Sequence, residues 1–242
     1  MPSKFATTSW SQVMAARDGS TSESRQALEA LCQAYWYPVY AFVRHQGHDA
    51  EESRDLTQGY FTRLIEKGYL EDYDPTLGRF RVFLKTSVKN FLSKEGEKSR
   101  AVKRGGRVEF VTLDADVEGR YRQEPADRLT PEQIYERRWA LTVLERVIGK
   151  LRQELSAKDR GEEFEQLKGF LTGEEPRLQY GKVAAGLKMS EGAVRTAVHR
   201  LRRRFGGLLR QEISETVARP EEVADEVRHL LGAIAPWAPG PR

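Results

Sequence analysis

Apolar residues recur three and four places apart through almost the whole of this chain, and strand-like alternation is nearly absent. That pattern restricts the fold to amphipathic helices packed on one another. Val108 to Leu113 is the one short candidate strand. From about Trp10 to Arg104, a first helix is marked by Ala27, Leu28, Leu31, Tyr35, Val39, Phe42 and Val43. A second carries Leu56, Tyr60, Phe61, Leu64 and Ile65, with Gly68 placed to stop it. A third carries Phe80, Phe83, Leu84, Val88, Phe91 and Leu92. The loop before it, Glu71 to Arg79, holds Asp74-Pro75 and Gly78, which are turn chemistry.

Residues 105–130 lose the periodicity. They hold Gly105, Gly106, Gly119 and Pro125 among the acids Glu109, Asp114, Asp116, Glu118, Glu124 and Asp127. This composition predicts a linker. Thr130-Pro131-Glu132-Gln133 then reads as a helix start: Thr130 as N-cap, Pro131 in the first turn, Gln133 closing a capping box. Ile134, Leu141, Leu144, Val147, Ile148 and Leu151 mark a long helix, and Phe164, Leu167, Phe170 and Leu171 another. Pro220 opens a last short helix, to about Ile234, expected to pack on the second domain. A length of 242 residues suits two small cores. The expected fold class is therefore all-α. Two small helical domains, residues 1–104 and 131–215, are joined by a flexible linker at 105–130, and an extension helix and tail occupy 216–242.

Several function classes fall away. Cys32 is the sole cysteine, so neither a disulfide framework nor a zinc site on paired cysteines is available. No apolar run approaches the roughly eighteen residues that span a bilayer. Residues 1–10 lack the apolar stretch of a signal peptide. The expectation is a soluble, cytoplasmic protein without membrane partners. There is no phosphate-binding Gly-Lys-Ser/Thr loop and no nucleophile with a paired base, so neither an enzyme nor a cofactor is expected. His45, His48 and Asp49 lie close in sequence but lack a third strong ligand, so no metal is expected. Trp10, Trp36, Trp139 and Trp237 read as packing or tail residues.

Formal net charge is only +4, yet its distribution is uneven. Arg79 to Arg107 holds ten basic residues, opposed only by Glu95 and Glu97. Arg195 to Arg210 holds six arginines and no acid. Aromatics at Phe80, Phe83 and Phe91 interleave with the first stripe. Basic stripes with interleaved aromatics suit nucleic acid, while a charge run alone is ordinarily a solvated helix face.

The sharpest local pattern runs from Tyr180 to Phe205. Ala184 is small where two helices would cross, Val183, Leu187, Met189 and Val194 are apolar clamps, and Ser190 is an N-cap. The second helix buries Val194, Val198, Leu201, Phe205 and Leu208. That leaves Glu191, Arg195, Thr196, His199, Arg200, Arg202 and Arg203 outward. The early members are placed for major-groove base edges and the later arginines for phosphates. An amphipathic hairpin with a solvated basic face is the plain alternative.

These blocks resemble a known family. Asp55-Leu-Thr-Gln-Gly-Tyr-Phe61 is similar to the Asp-Leu-Thr-Gln-Glu-Val-Phe signature in region two of extracytoplasmic-function sigma factors. Phe80-Arg-Val-Phe-Leu-Lys-Thr-Ser-Val-Lys-Asn-Phe91 resembles that region's Phe-Arg-Ala-Trp-Leu…Ala-Arg-Asn helix. Ser190-Glu-Gly-Ala-Val-Arg-Thr-Ala-Val-His-Arg200 resembles region four's Ser-Val-Gly-Thr-Val-Lys-Ser-Arg-Leu-His-Arg. The resemblance covers residues 31–104 and the helix-turn-helix. Trp10, the long linker and the Pro220 to His229 end resemble a larger variant group.

The resemblance implies a transcription initiation factor. Region two would bind the β′ clamp helices of RNA polymerase core through Glu52, Asp55, Gln58 and Phe61. It would hold unpaired minus-ten DNA through Tyr73, Arg79, Phe80, Phe83, Lys89 and Asn90, using aromatic faces and a basic groove. Region four would sit on the β flap. It would read duplex minus-thirty-five DNA with Ser190, Glu191, Arg195, Thr196, His199, Arg200 and Arg203. The linker would thread toward the active centre and the RNA exit path; its acids either imitate RNA phosphates in a basic channel or form a plain solvated spacer. An anti-sigma factor or other regulator is a possible partner. The chain departs from the pattern with Phe83 in place of a common Trp and Thr86 in place of Arg. Lys188 stands for a turn glycine, and Gly59 for an acid on the polymerase face. A phosphate on Thr57 would return negative charge there. A helix-turn-helix regulator without sigma activity, and an adaptor that binds polymerase without opening DNA, are the rival readings.

Overall fold

The computed structural model describes residues 22–66, 73–74, 78–99, 117–122, 129–172, 180–214, 216–217 and 219–235. These residues are 86% helical and contain no strand, so the fold is all-α. Trp10, Trp237, Gly68, Asp72, the candidate strand at Val108 to Leu113 and the basic residues Arg100 to Arg107 lie outside the described residues. The helices are α1 (Ser22–His45), α2 (Ala50–Glu66), α3 (Phe80–Ser99), α4 (Val117–Arg122) and α5 (Pro131–Ser156). Then follow α6 (Gly161–Leu167), α7 (Gly169–Thr172), α8 (Tyr180–Leu187), α9 (Glu191–Ser214), a 3₁₀ turn (Pro220–Glu222) and α10 (Val223–Ile234). No helix of the described residues is long and apolar enough to cross a membrane.

The chain divides into two compact units. The first combines residues 1–142 with 213–242, and the second is 143–212. The cuts fall inside α5 and α9, not at the expected linker. The start of α5 and the whole of α10 therefore belong to the first unit, where the sequence reading had put both with the second domain.

In the first unit α1 is the central helix. Residues 34–43 are all buried, so the helix is apolar around its full circumference and needs neighbours on every side. Aromatic contacts supply them. Trp36 stacks on Phe61 of α2 at 5.5 Å, Tyr35 meets Phe80 of α3 edge-on at 5.5 Å, and Phe42 meets Tyr135 of α5 edge-on at 6.3 Å. Such pairs add about 0.5–1.5 kcal/mol each beyond the area they bury. Asp49 caps α2 by accepting from the Glu52 amide at 2.8 Å, after a turn that Gly47 makes at a left-handed φ of 98°. The capping box of α5 forms in both directions. The Thr130 amide donates to Gln133 Oε1 at 2.8 Å, and the Gln133 amide donates to Thr130 Oγ1 at 3.2 Å.

Part of the expected flexible linker is a docked helix. Val117 of α4 is fully buried against Tyr37 and Tyr40. Glu118 accepts from the Tyr40 hydroxyl at 2.6 Å and from Arg44 at 3.1 and 3.2 Å. Burial works against its charge, but the hydrogen bonds from Arg44 and Tyr40 hold its carboxyl below the usual carboxylate range. Glu118 is therefore spent within the fold and is not a free acid of a solvated spacer. His45 bonds the Tyr121 hydroxyl and the Leu129 carbonyl, and His48 pairs with Glu52.

In the second unit Val147, Leu151, Phe164, Leu167, Phe170, Val183, Val194, Val198, Leu201 and Leu208 are buried. Val194, Val198, Leu201 and Leu208 form the inner stripe of α9, with Phe205 only partly covered. Buried Glu212 is neutralised by Lys150 at 2.5 Å, with Arg146 at 3.9 Å.

Candidate nucleic-acid interface

The second unit presents a helix-turn-helix. Ser190 caps α9, accepting from the Ala193 amide at 3.2 Å. Lys188 makes the turn with φ 52°, the left-handed conformation in which a side chain is strained. Lys188→Gly is expected to raise unfolding free energy by about 0.5–1 kcal/mol, read from the urea midpoint at unchanged slope. Met189, expected as an apolar clamp, is exposed. Ser190, Glu191, Arg195, Thr196, His199, Arg200 and Arg203 are all exposed on α9. The Thr196 hydroxyl donates back to the Gly192 carbonyl at 3.0 Å. His199, Arg200 and Arg203 make no hydrogen bond or ion pair among the described residues. Two other arginines are diverted: Arg202 donates to the Phe170 carbonyl at 3.1 and 3.3 Å, and Arg204 pairs with Glu154. Arg202 is therefore not free as the sequence suggested.

In the first unit α3 has two polar faces with opposite fates. One holds Arg81, Lys85 and Lys89, four residues apart. It faces Glu132 and Glu136 of α5, also four apart, and Glu226 of α10. Arg81 is 4% exposed, and its Nε donates to Glu226 Oε1 at 2.7 Å. Arg81 also pairs with Glu136 and lies 4.7 Å from the Trp139 ring, while its carbonyl accepts from the Tyr135 hydroxyl at 3.0 Å. Lys85 reaches Glu136 at 2.5 Å, Lys89 reaches Glu132 at 2.6 Å, and Arg79 reaches Glu226 at 2.5 Å. His229 Nε2 lies 3.1 Å from Glu136. Burial opposes the Glu136 charge, yet Arg81 and Lys85 hold its carboxyl below the usual range. Arg79 and Lys89, predicted to face a DNA strand, are thus already engaged with acids.

The other face is open. Phe83, Thr86, Ser87, Asn90, Phe91 and Lys94 of α3, with Arg63 of α2, line a cleft of about 210 Å³. Arg63 lies 5.0 Å from the Phe91 ring and pairs with Glu95 at 2.6 Å. Of the residues predicted for the strand, Phe83 and Asn90 are here. Tyr73 and Phe80 are not: both are buried, Tyr73 packing on Phe80 at 5.2 Å and Phe83 at 5.0 Å and donating to the Gly78 carbonyl at 2.9 Å. They support the rim from behind. The sequence motifs do not single out Arg63 and Ser87, and they mark Lys94 only as part of the basic stripe and Thr86 only as a departure from the family pattern, although 83, 87, 90 and 94 form a helical stripe that spacing alone reveals.

On the adjoining face of α2, Asp49, Glu51, Glu52, Asp55, Leu56 and Gly59 line a shallow acidic cleft of about 530 Å³ that continues to Arg63, Phe91 and Glu95. Glu52 and Asp55 are exposed there and Gln58 is half-buried, as a docking role requires. Phe61 does not qualify, being 3% exposed and stacked on Trp36. A Cβ on Gly59 would meet Phe91 Cζ at 3.5 Å, an ordinary contact, so crowding does not explain the missing side chain. Thr57 is fully buried and its hydroxyl donates to the Ser53 carbonyl at 2.7 Å. A phosphate has no access to it in this fold.

No family model, curated protein or solved structure matches this chain. What remains to indicate a function is the outer face of α9, the open cleft of α3, the acidic cleft of α2 and the motif resemblance.

Proposed function

We propose that this chain is a cytoplasmic sigma factor of the extracytoplasmic-function type, recruiting RNA polymerase core to promoters and starting transcription. The observation that carries the reading is α9, a capped helix with His199, Arg200 and Arg203 exposed, and without an ion pair or hydrogen bond among the described residues, beyond an Arg195 one turn into the helix. Uncommitted arginines on the outer face of a helix-turn-helix suit duplex DNA, with early positions toward base edges and later ones toward phosphates. The open cleft of α3 supports the second half of the reading. Its half-buried Phe83 offers a ring to an unstacked base and its exposed Asn90 and Lys94 offer polar and positive groups to a strand, while Phe91 is buried under Arg63, which is paired with Glu95. The acidic cleft at Glu52 and Asp55 is the corresponding surface for polymerase.

One observation favours the rival, a helix-turn-helix regulator without sigma activity: Arg79, Arg81, Lys85 and Lys89 are occupied by Glu226, Glu136 and Glu132. Transcription with purified core polymerase on genomic fragments separates the two. The sigma reading expects RNA starting at defined promoters only when the chain is added. Retained duplex binding with repression, or with no new start sites, supports the regulator instead.

A further inference from the structure

We infer that Tyr180 is a positioning residue that sets the sequence preference of Arg195 on duplex DNA. The inference deepens the DNA-reading role proposed for α9 and rests on it.

Tyr180 is the first residue of α8 and lies half-buried. The Arg195 guanidinium carbon sits 4.5 Å from the centre of its ring. The ring also packs against Phe170 at 4.8 Å. Phe170 is 2% exposed, and its carbonyl accepts both hydrogen bonds from Arg202 of α9. A buried ring thus supports a half-buried ring, which supports an exposed cation, and the same anchor is tied back to α9 by Arg202, two turns beyond Arg195 on the same side of the helix. Glu191, one turn before Arg195, also leans over the start of α8: a Cβ built on Gly181 would come within 2.9 Å of its Oε1. Arg195 itself has no ion pair or hydrogen bond among the described residues, so the ring is what holds it.

Arginine reads guanine by presenting two parallel donors to O6 and N7, and that recognition depends on the orientation of a planar fork. A long side chain free in solvent must be ordered at the moment of binding, whereas one already resting on an aromatic face is partly ordered beforehand. The ring therefore contributes to discrimination between bases, not to general attraction for phosphates. It acts through Arg195 without touching DNA.

The test uses the full chain and a pool of randomised duplexes. The unmodified chain is expected to select guanine at one position, and Arg195→Ala to erase that preference alone. Tyr180→Phe keeps the aromatic face and is expected to keep the preference. Tyr180→Leu fills similar space without a π-face. It is expected to weaken the preference about three- to fivefold at that base pair only, the scale of an exposed cation–π contact. In the free protein, the Arg195 δ-protons are expected to show an upfield ring-current shift by NMR, retained in Tyr180→Phe and lost in Tyr180→Leu. A Tyr180→Leu variant that selects as sharply as the unmodified chain, or that loses selectivity equally at all positions, overturns the inference while leaving duplex reading intact. An unmodified chain that selects no sequence at all overturns both.

Discussion

Replacing Glu226 by alanine is expected to lower the unfolding free energy of the first unit by about 3–5 kcal/mol, the cost of stranding one member of a buried ion pair. Glu226 is 1% exposed and is the shared partner of Arg79 and Arg81. With it gone, Arg81 keeps only Glu136, which already serves Lys85 and His229. A guanidinium has no neutral form to retreat to, so the unmet charge is felt in full. Urea unfolding of the full chain measures the loss. A loss under about 1 kcal/mol, in the range of an exposed pair, contradicts the burial described here. The same cluster sets the acid limb. The Glu136 carboxyl is held below its ordinary value of 4.5, so the unfolded chain binds its proton first as the solution is acidified. This contribution is complete above that ordinary value and fades as pH falls through the lower folded value. Glu136→Gln should flatten the limb.

The second large effect is expected on duplex binding. Changing Arg200 and Arg203 together to alanine removes two exposed cations that make no ion pair or hydrogen bond among the described residues. The plot of log affinity against log salt should become shallower by about two, with affinity at low salt falling on the order of tenfold or more. Arg204→Ala is the matched control, because Arg204 is paired with Glu154. It should change the slope by much less. Equal slopes for both variants and the unmodified chain would mean that the face of α9 is solvated and not a phosphate track.

What the sequence revealed was mostly local. Thr130 and Gln133 announce a capping box four residues long, and Ser190 announces the start of α9 in the same way; both sit where short-range hydrogen bonding puts them. The inner stripe of α9 follows from spacing. What escaped depended on partners distant along the chain. Arg81 counts as one more cation in a basic stripe until Glu226, 145 residues away, is placed against it. Nothing in a run of glycines and acids marks Val117 and Glu118 as the docked part of a linker, because the sockets are Tyr37, Tyr40 and Arg44 of α1. Phe61 matched a signature by residue type, yet the Trp36 ring decides where it points. The two stripes of α3 differ only in what lies opposite. Glu132 and Glu136, spaced to meet Lys85 and Lys89, were the available hint.

Because residues 213–242 complete the unit that residues 1–142 begin, the second unit is in effect an insertion within the first. During synthesis the α1 core is made long before α10, and Arg81 has only Glu136 for an acid until the last stretch of polypeptide supplies Glu226. The insertion closes through neighbours in sequence, while its host must join both ends across that whole interval, which slows folding. A released chain that ends before residue 220 would therefore hold the whole helix-turn-helix segment but lack the Glu226 that its first unit needs.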